Sequence, residues 1–463
     1  MSHYQELIFD PQVIRRFDVS GPRYTSYPTA DRFVEAFDAA AYRSWLQRRT
    51  IGGIGRALSL YFHIPFCNTI CYYCACNKII TKDHGRSAKY LKYLGKELAL
   101  QSAALDGPHD VVQLHWGGGT PTFLSQDEMR QLMEMTRQHF RLLPDGEYSI
   151  EVDPRKVDRE TVKLLAELGF NRMSVGVQDF DPRVQQAVNR IQSLEETQLV
   201  IEAAREFGFK GISVDLIYGL PKQNVISFNH TLDEIIKLAP DRLSIYNYAH
   251  LPGLAKPQRR INESELPSPD AKLQIVQLCI RRLTDAGYVF IGMDHFAKPD
   301  DELAIAQRQG RLHRNFQGYS THAEADLLAF GVSAIGKVGP TYCQNYRTLD
   351  EYYDALDQGD LPVMRGLELT ADDLLRRSII QALMCHFELS IESIEIAHLI
   401  DFKSYFAAEL GDLAEMETAG LLTIDDQWIT VQPRGRILVR VIAMVFDRYL
   451  RSDRERLRYS KVI

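Results

Sequence analysis

No stretch of this sequence approaches the ~20 apolar residues of a membrane-spanning helix. The N-terminal MSHYQELIFDPQVIRRFD has no apolar run of the signal-peptide kind. The expectation is a cytoplasmic chain without a membrane span. Cysteine is scarce, with 7 in 463 residues. A disulfide framework would need secretion, and thiols stay reduced in the cytosol. Basic residues do not predominate: 54 Lys and Arg stand against 61 Asp and Glu, for a net charge of -7. That balance disfavours non-specific nucleic-acid binding, although local arginine clusters still suit carboxylates. There is no low-complexity segment and no obvious short repeat. The composition is that of a globular protein, 45% hydrophobic and 25% charged, with length for two or three domains.

The few cysteines are unevenly spread. Cys67, Cys71 and Cys74 share one short segment, YFHIPFCNTICYYCACNK, in the spacing C-x3-C-x2-C, and Cys76 follows. Thiolates this close suit an iron–sulfur cluster or zinc. Structural zinc usually shows two separated pairs, whereas Cys279, Cys343 and Cys385 stand alone. Three ligands on a four-iron cluster leave one iron open to a substrate. Cys76 as a fourth ligand would close that corner, so it reads as a non-ligand beside the cluster.

Six short β-rich runs, ALSLYFHI, VVQLHWG, YSIEVD, RMSVGVQ, GISVDLIYG and RLSIYNYA, alternate with helical patterns. The first helix places Tyr90, Leu91, Leu94 and Leu98 on one face after a Ser87 cap. Others fall near 125–140, 158–169, 193–207 and 227–238. This order predicts an α/β fold, a partial (β/α)6 TIM-like barrel with a parallel sheet. The polar residues of interest cluster at the carboxyl ends of the runs, where such folds build sites. The predicted organisation is an N-terminal extension over 1–50 able to act as a lid, a barrel over 51–360, and a small, mostly helical C-terminal domain over 365–463. That last region opens with Thr370 and Asp373 in capping-box spacing. It continues through LLTI, DDQ and WITV to one long final helix, RGRILVRVIAMVFDRYLR, an order that is winged-helix-like.

With the cysteines, the strand order and GGGTP together, the chain resembles the radical S-adenosylmethionine (SAM) superfamily. Within it, the chain is similar to the oxygen-independent coproporphyrinogen III oxidases. The likeness spans nearly the whole length, through GPRYTSYPTA, HWGGGTPT, EVDPR, GVQDF, VNRIQ, VDLIYGLP, YNYAHLP, GMDHFA and NFQGYSTH. Cys76 and the N-terminal motif separate it from haem chaperones of the same superfamily, which are the alternative reading; a radical SAM methyltransferase is a third.

The resemblance implies a 4Fe–4S cluster on Cys67, Cys71 and Cys74 with an open iron, and two SAM molecules. Glu151, Gly118 and Ile335 match positions near the cluster-bound SAM. Tyr73, Gly119, Thr120, Gln178, Arg190, Asp215 and Ala249 match positions around the second. GGGTP is read as letting backbone approach the SAM amino group, because glycine offers no side chain to block it. Tyr61 and Phe66 are candidates for an apolar cover. His63 either bonds the cluster, moves protons or is a satisfied core histidine. Tyr61, His63 and Cys76 are the catalytic candidates. The implied reaction converts two propionates of coproporphyrinogen III to vinyl groups, giving protoporphyrinogen IX in haem biosynthesis. It needs a one-electron reductant of flavodoxin or ferredoxin type and an electron acceptor that the sequence does not name. Arg23, Arg311 and Arg314 are candidates to meet propionates, with Tyr24 and Tyr27 to stack or donate. A monomer is expected.

Overall fold

The computed structural model describes residues 7–50 and 55–452. Its centre is the predicted alternation. Strands β1 (Leu58–Ile64), β2 (Asp110–Gly118), β3 (Arg141–Val152), β4 (Arg172–Gln178), β5 (Gly211–Tyr218) and β6 (Arg242–Asn247) lie side by side in chain order. All five pairings are parallel. The connecting helices α1 (Gly85–Ala104), α2 (Gln126–His139), α3 (Arg159–Glu167), α4 (Leu194–Glu206) and α5 (Val225–Leu238) match the amphipathic patterns to within two residues. Ser125 with Glu128 and Ser193 with Glu196 close capping boxes, each worth about 1 kcal/mol. Ser87 is not a cap. α1 starts two residues earlier, and the buried Ser87 hydroxyl donates to Glu128 on the next helix, 2.7 Å.

The sheet is wider than six strands. Four further strands continue it beyond β1 and two beyond β6, so twelve strands form one sheet among the described residues. On the far side of β6 stand β7 (Val289–Gly292) and β8 (His295–Ala297), both antiparallel. On the near side β9 (Asp326–Phe330) pairs parallel with β1. It is followed by β10 (Ile335–Val338), β11 (Thr341–Asn345) and β12 (Val363–Glu368), each antiparallel to its neighbour. The strand order runs in a line from β12 to β7, which do not pair with each other, so the barrel is open.

The N-terminal segment is stapled to both ends of the molecule. Val34 bridges to Gly366 on β12, and Arg16 pairs with Glu415. Residues 1–6 of the expected lid lie outside the described residues. In the C-terminal region α6 (Ala371–His386), with its Thr370–Asp373 capping box, packs beside a three-stranded sheet of Glu388–Ser390, Trp428–Val431 and Leu422–Ile424. The expected single final helix is broken into Arg436–Leu438, Val439–Met444 and Arg448–Ser452. The break has a local cause. Asp447 accepts from the backbone N–H groups of Tyr449 and Leu450, restarting a helix, and from the Tyr24 hydroxyl.

Candidate functional site

The carboxyl ends of β1–β5 open onto a cavity of about 320 Å³. Cys67, Cys71, Cys74 and Cys76 line one side, on the loop that leaves β1. Gly118, Gly119, Thr120, Glu151, Gln178, Arg190 and Asp215 line the rest, with Tyr73. Among the described residues no three His, Cys, Asp or Glu side chains converge on a single point; the four cysteines line the cavity instead. Donors surround the sulfurs. Thr120 Oγ1 donates to Cys67 Sγ at 3.4 Å. The guanidinium groups of Arg155 and Arg190 reach Cys71 Sγ at 3.8 and 3.7 Å. Cys76 is the exposed member of the four. It donates to Cys74, whose thiol is pulled down to about 6 with Lys78 assisting. Hydrogen bonds and positive charge at thiolate sulfurs are what an anionic iron–sulfur cluster requires, so the donor set fits such a group.

Two carboxyls face the same space with opposite tendencies. Burial would raise Glu151, but His115 at 3.5 Å and the Gly118 N–H at 3.2 Å outweigh it and hold the group below its ordinary value. Asp215 accepts from Ser174 Oγ at 2.9 Å. Burial nevertheless pushes it up to about 6, with Glu151 adding repulsion. Arg190 is fixed by Gly176 O at 2.5 Å and Asp153 at 3.5 Å. Its Nε is buried with no hydrogen-bond partner among the described residues, and so is Gln178 Oε1. Gln178 sits at φ 71°, a left-handed backbone that costs a non-glycine residue energy. One open donor, one open acceptor and a strained residue on one cavity wall are what a polar ligand would satisfy.

Packing also requires the glycines. A Cβ on Gly119 would lie 2.7 Å from the Pro65 carbonyl carbon, and one on Gly118, at φ 113°, 2.7 Å from the His63 ring. They let β2 cross the end of β1. The N–H groups of Gly118, Gly119 and Thr120 are all taken, by Glu151, Ile64 O and Phe66 O. Carbonyl oxygens are what this backbone can offer an ammonium group.

Other candidates stand behind the wall or away from it. His63 Nε2 lies 2.9 Å from Asn77 O, so Nε2 carries the proton and Nδ1 accepts from the Tyr61 hydroxyl at 3.1 Å. Burial keeps the ring neutral. Tyr61 stacks on His115 with ring centroids 5.9 Å apart. Both residues thus brace the cysteine loop and the partner of Glu151. Phe66 is core rather than cover, edge-on to Tyr90 and against Phe123. Ala249 lines a separate cavity with Ile14 beyond β6. Ile335 packs with the cluster of Phe33 and Tyr342.

The substrate candidates divide. Tyr24 and Tyr27 are fully buried, bonded to Asp447 and to the Arg448 N–H, so neither can stack on a ligand. Arg311 is exposed against Gln309, away from the cavity. Arg23 pairs with Asp294 and lies over Tyr246, a residue shared by the upper cavity and a deeper one of about 160 Å³. Arg314 is buried over Tyr319. Sequence reasoning missed Arg155, which grips Asp153 and touches Cys71; the motif EVDPR was its signal. It also missed Ser174, which carries no motif of its own, and Tyr246, whose signal was the motif YNYAHLP. The deeper cavity adds His295 and Gln317, each with a buried nitrogen lacking a partner among the described residues.

Comparison with known proteins agrees along the whole chain. Residues 61–235 match the radical SAM superfamily, and 369–438 match the HemN C-terminal domain. An oxygen-independent coproporphyrinogen III oxidase of Pseudomonas aeruginosa is 54% identical, over 98% of this chain and 99% of its own. Its Escherichia coli counterpart is 47% identical over 99% of each. The solved E. coli coproporphyrinogen III oxidase, described as a radical SAM enzyme, superposes with a TM-score of 0.92 at 46% identity, covering 96% of this chain and 100% of that one. Among the described residues no helix is long and apolar enough to cross a membrane. With a radical SAM region, a HemN C-terminal region and near-full-length identity of 47–54% to these oxidases, the chain belongs to the oxygen-independent coproporphyrinogen III oxidase family of the radical SAM superfamily.

Proposed function

We propose that this protein is an oxidoreductase that converts two propionate side chains of coproporphyrinogen III to vinyl groups without oxygen, yielding protoporphyrinogen IX. The observation that carries this reading is the pairing of two adjoining cavities. The upper one is walled by the cysteines, and the deeper barrel cavity shares Glu151, Ser174, Asp215 and Tyr246 with it. Reagent and substrate would meet across those four residues. Relatives matched end to end are oxidases, which gives no support to a haem chaperone or a methyltransferase.

Cys67, Cys71 and Cys74 would hold a 4Fe–4S cluster, with Cys76 left as a hydrogen-bond donor at its edge. When bound, the cluster and SAM supply a carbon radical able to take hydrogen from an unactivated C–H bond. The chain's own part is to bind and orient. Ionised Glu151 suits an ammonium group beside the cluster. Arg190, with Nε open, suits a carboxylate. Asp215 and Gln178 Oε1 suit hydroxyl or amino groups of a second SAM. The Tyr61–His63–Asn77 chain keeps the cysteine loop in place.

The test is anaerobic. Protein loaded with iron and sulfide, a low-potential reductant, an added one-electron acceptor, SAM and coproporphyrinogen III should yield divinyl product, with two methionines formed per tetrapyrrole and the methyl group left on each. One methionine per product would remove the assignment of one SAM to each propionate, and a single SAM bound per loaded protein at saturation would remove the two-SAM arrangement. Cleavage of SAM with no vinyl product would remove the substrate assignment.

A further inference from the structure

A third, small space of about 20 Å³ lies inside the barrel beneath β9 and β10, and its lining is cationic. Lys337, Arg377 and Arg314 reach it from β10, α6 and the hairpin of His313–Asn315 and Gly318–Ser320. His313 and His322 join them, and no Asp or Glu lines the space. Arg314 is 97% buried in the sense that only 3% of its surface is exposed, and its Nη1 has no hydrogen-bond partner among the described residues. Arg377 Nη1 is in the same state. A buried guanidinium N–H without an acceptor costs free energy, so two of them on one chamber call for an anion. The nearest acid of the sheet, Asp326, is already engaged by Arg49 and by the Gly339 N–H. The crowding is felt by the groups themselves. Burial, reinforced by Arg377, draws Lys337 down to about 8. Burial, with Lys337 and Arg377, draws His313 down to about 3.

The register of the sheet places this chamber relative to the site above. Lys337 pairs with Leu327, Leu327 with Ser59, and Ser59 with Gln113, which also bonds it at 2.9 Å. The next row up holds Tyr61 and His115, the partner of Glu151. One row is two residues of strand, about 7 Å. Gln113 lines the deeper barrel cavity, so the chamber is its lateral neighbour.

We propose that this chamber is a carboxylate-binding site that takes the terminal carboxylate of one propionate of the tetrapyrrole while another lies a row higher, at the reacting position. Lys337, Arg377 and Arg314 thereby fix which edge of the substrate faces the cysteines. This rests on the functional reading above, and the test separates the two.

The probe is coproporphyrin III, the stable oxidised tetracarboxylate, against its tetramethyl ester, bound to anaerobic holoenzyme and read by porphyrin fluorescence. The unaltered protein should prefer the acid. Lys337→Met and Arg377→Met should each weaken acid binding about tenfold or more, the loss of one charge-assisted contact. Lys337→Arg should restore most of the affinity, which a merely structural lysine would not require. Exposed Lys403→Met is the control. In turnover, KM for coproporphyrinogen III should rise more than kcat falls, with the visible absorbance of the cluster retained. Unchanged affinity in the folded double variant, equal binding of acid and ester, or no rescue by arginine would each overturn the chamber's role. If the unaltered protein makes no vinyl product but loses acid binding on Lys337→Met, the function falls and the carboxylate site stands.

Discussion

Two enclosed carboxylates at opposite sides of β1 separate a working surface from a structural seam. Glu97, on α1, is fully buried. It accepts from Gln101 at 3.0 Å, the Gly331 N–H at 2.7 Å, Asn345 at 2.7 Å and Tyr352 at 2.6 Å. Every lone pair it can use is spoken for, and the result ties α1 to β11 and to the turn after β9. Glu151 has two protein donors, and 45% of its side chain is still open, into the cavity. Around it stand Arg190 and Gln178 with polar atoms unmatched. Complete satisfaction marks a joint; incomplete satisfaction marks a place that waits for a ligand.

The sharpest way to separate the two regions is to remove one residue from each. Cys67→Ala should abolish the broad visible absorbance of the loaded protein and all SAM cleavage, while the urea midpoint of the unloaded protein stays near its original value. A large fall in that midpoint would mean that the mouth is also a joint. Glu97→Ala should do the reverse. It leaves four donors without an acceptor in the core, and the expected cost is about 3–5 kcal/mol of unfolding free energy, measured by denaturant titration. A loss below about 1 kcal/mol would show that the seam relaxes and that the contrast is overstated.

Asp215→Asn gives the smallest effect and the finest test. An ordinary aspartate titrates near 3.8 and this one is raised to about 6. The folded state therefore binds its proton more tightly than the unfolded chain does. Stability that is fully present below about pH 4 is lost as pH rises through 6, a penalty on the order of 2–3 kcal/mol. The asparagine variant, without ligand, should be more stable than the original at pH 7 by up to that amount, and the gain should vanish near pH 4. It should also bind SAM less well. A variant that is less stable at pH 7 would move Asp215 from the mouth to the seam.

Much of this was legible in the chain. The C-x3-C-x2-C loop, GGGTP and EVDPR are local, and spacing alone brings their residues to strand ends. Six strand–helix units show in the period of the apolar residues, and the capping boxes at Ser125, Ser193 and Thr370 show in four-residue patterns. The flanks were not legible, because β7–β11 are short, five of the six flanking strands pair only antiparallel, and their pairing depends on which edge is open. Phe66, Tyr24 and Tyr27 looked like ligand contacts because an aromatic beside a motif has no mark of which way it faces. The broken final helix needed Asp447, whose capping role depends on the fold around it.

The sequence by itself determined the thiol loop, the parallel units and the family, since each rests on residues a few positions apart. Only the tertiary structure decided which polar atoms go unpaired. Glu97 and Glu151 are the same residue on regular elements, yet one meets four donors and the other a cavity. That difference comes from neighbours as far as 255 residues away in the chain. Burial and hydrogen-bond satisfaction are properties of such long-range neighbours, so they appear only when the chain is folded.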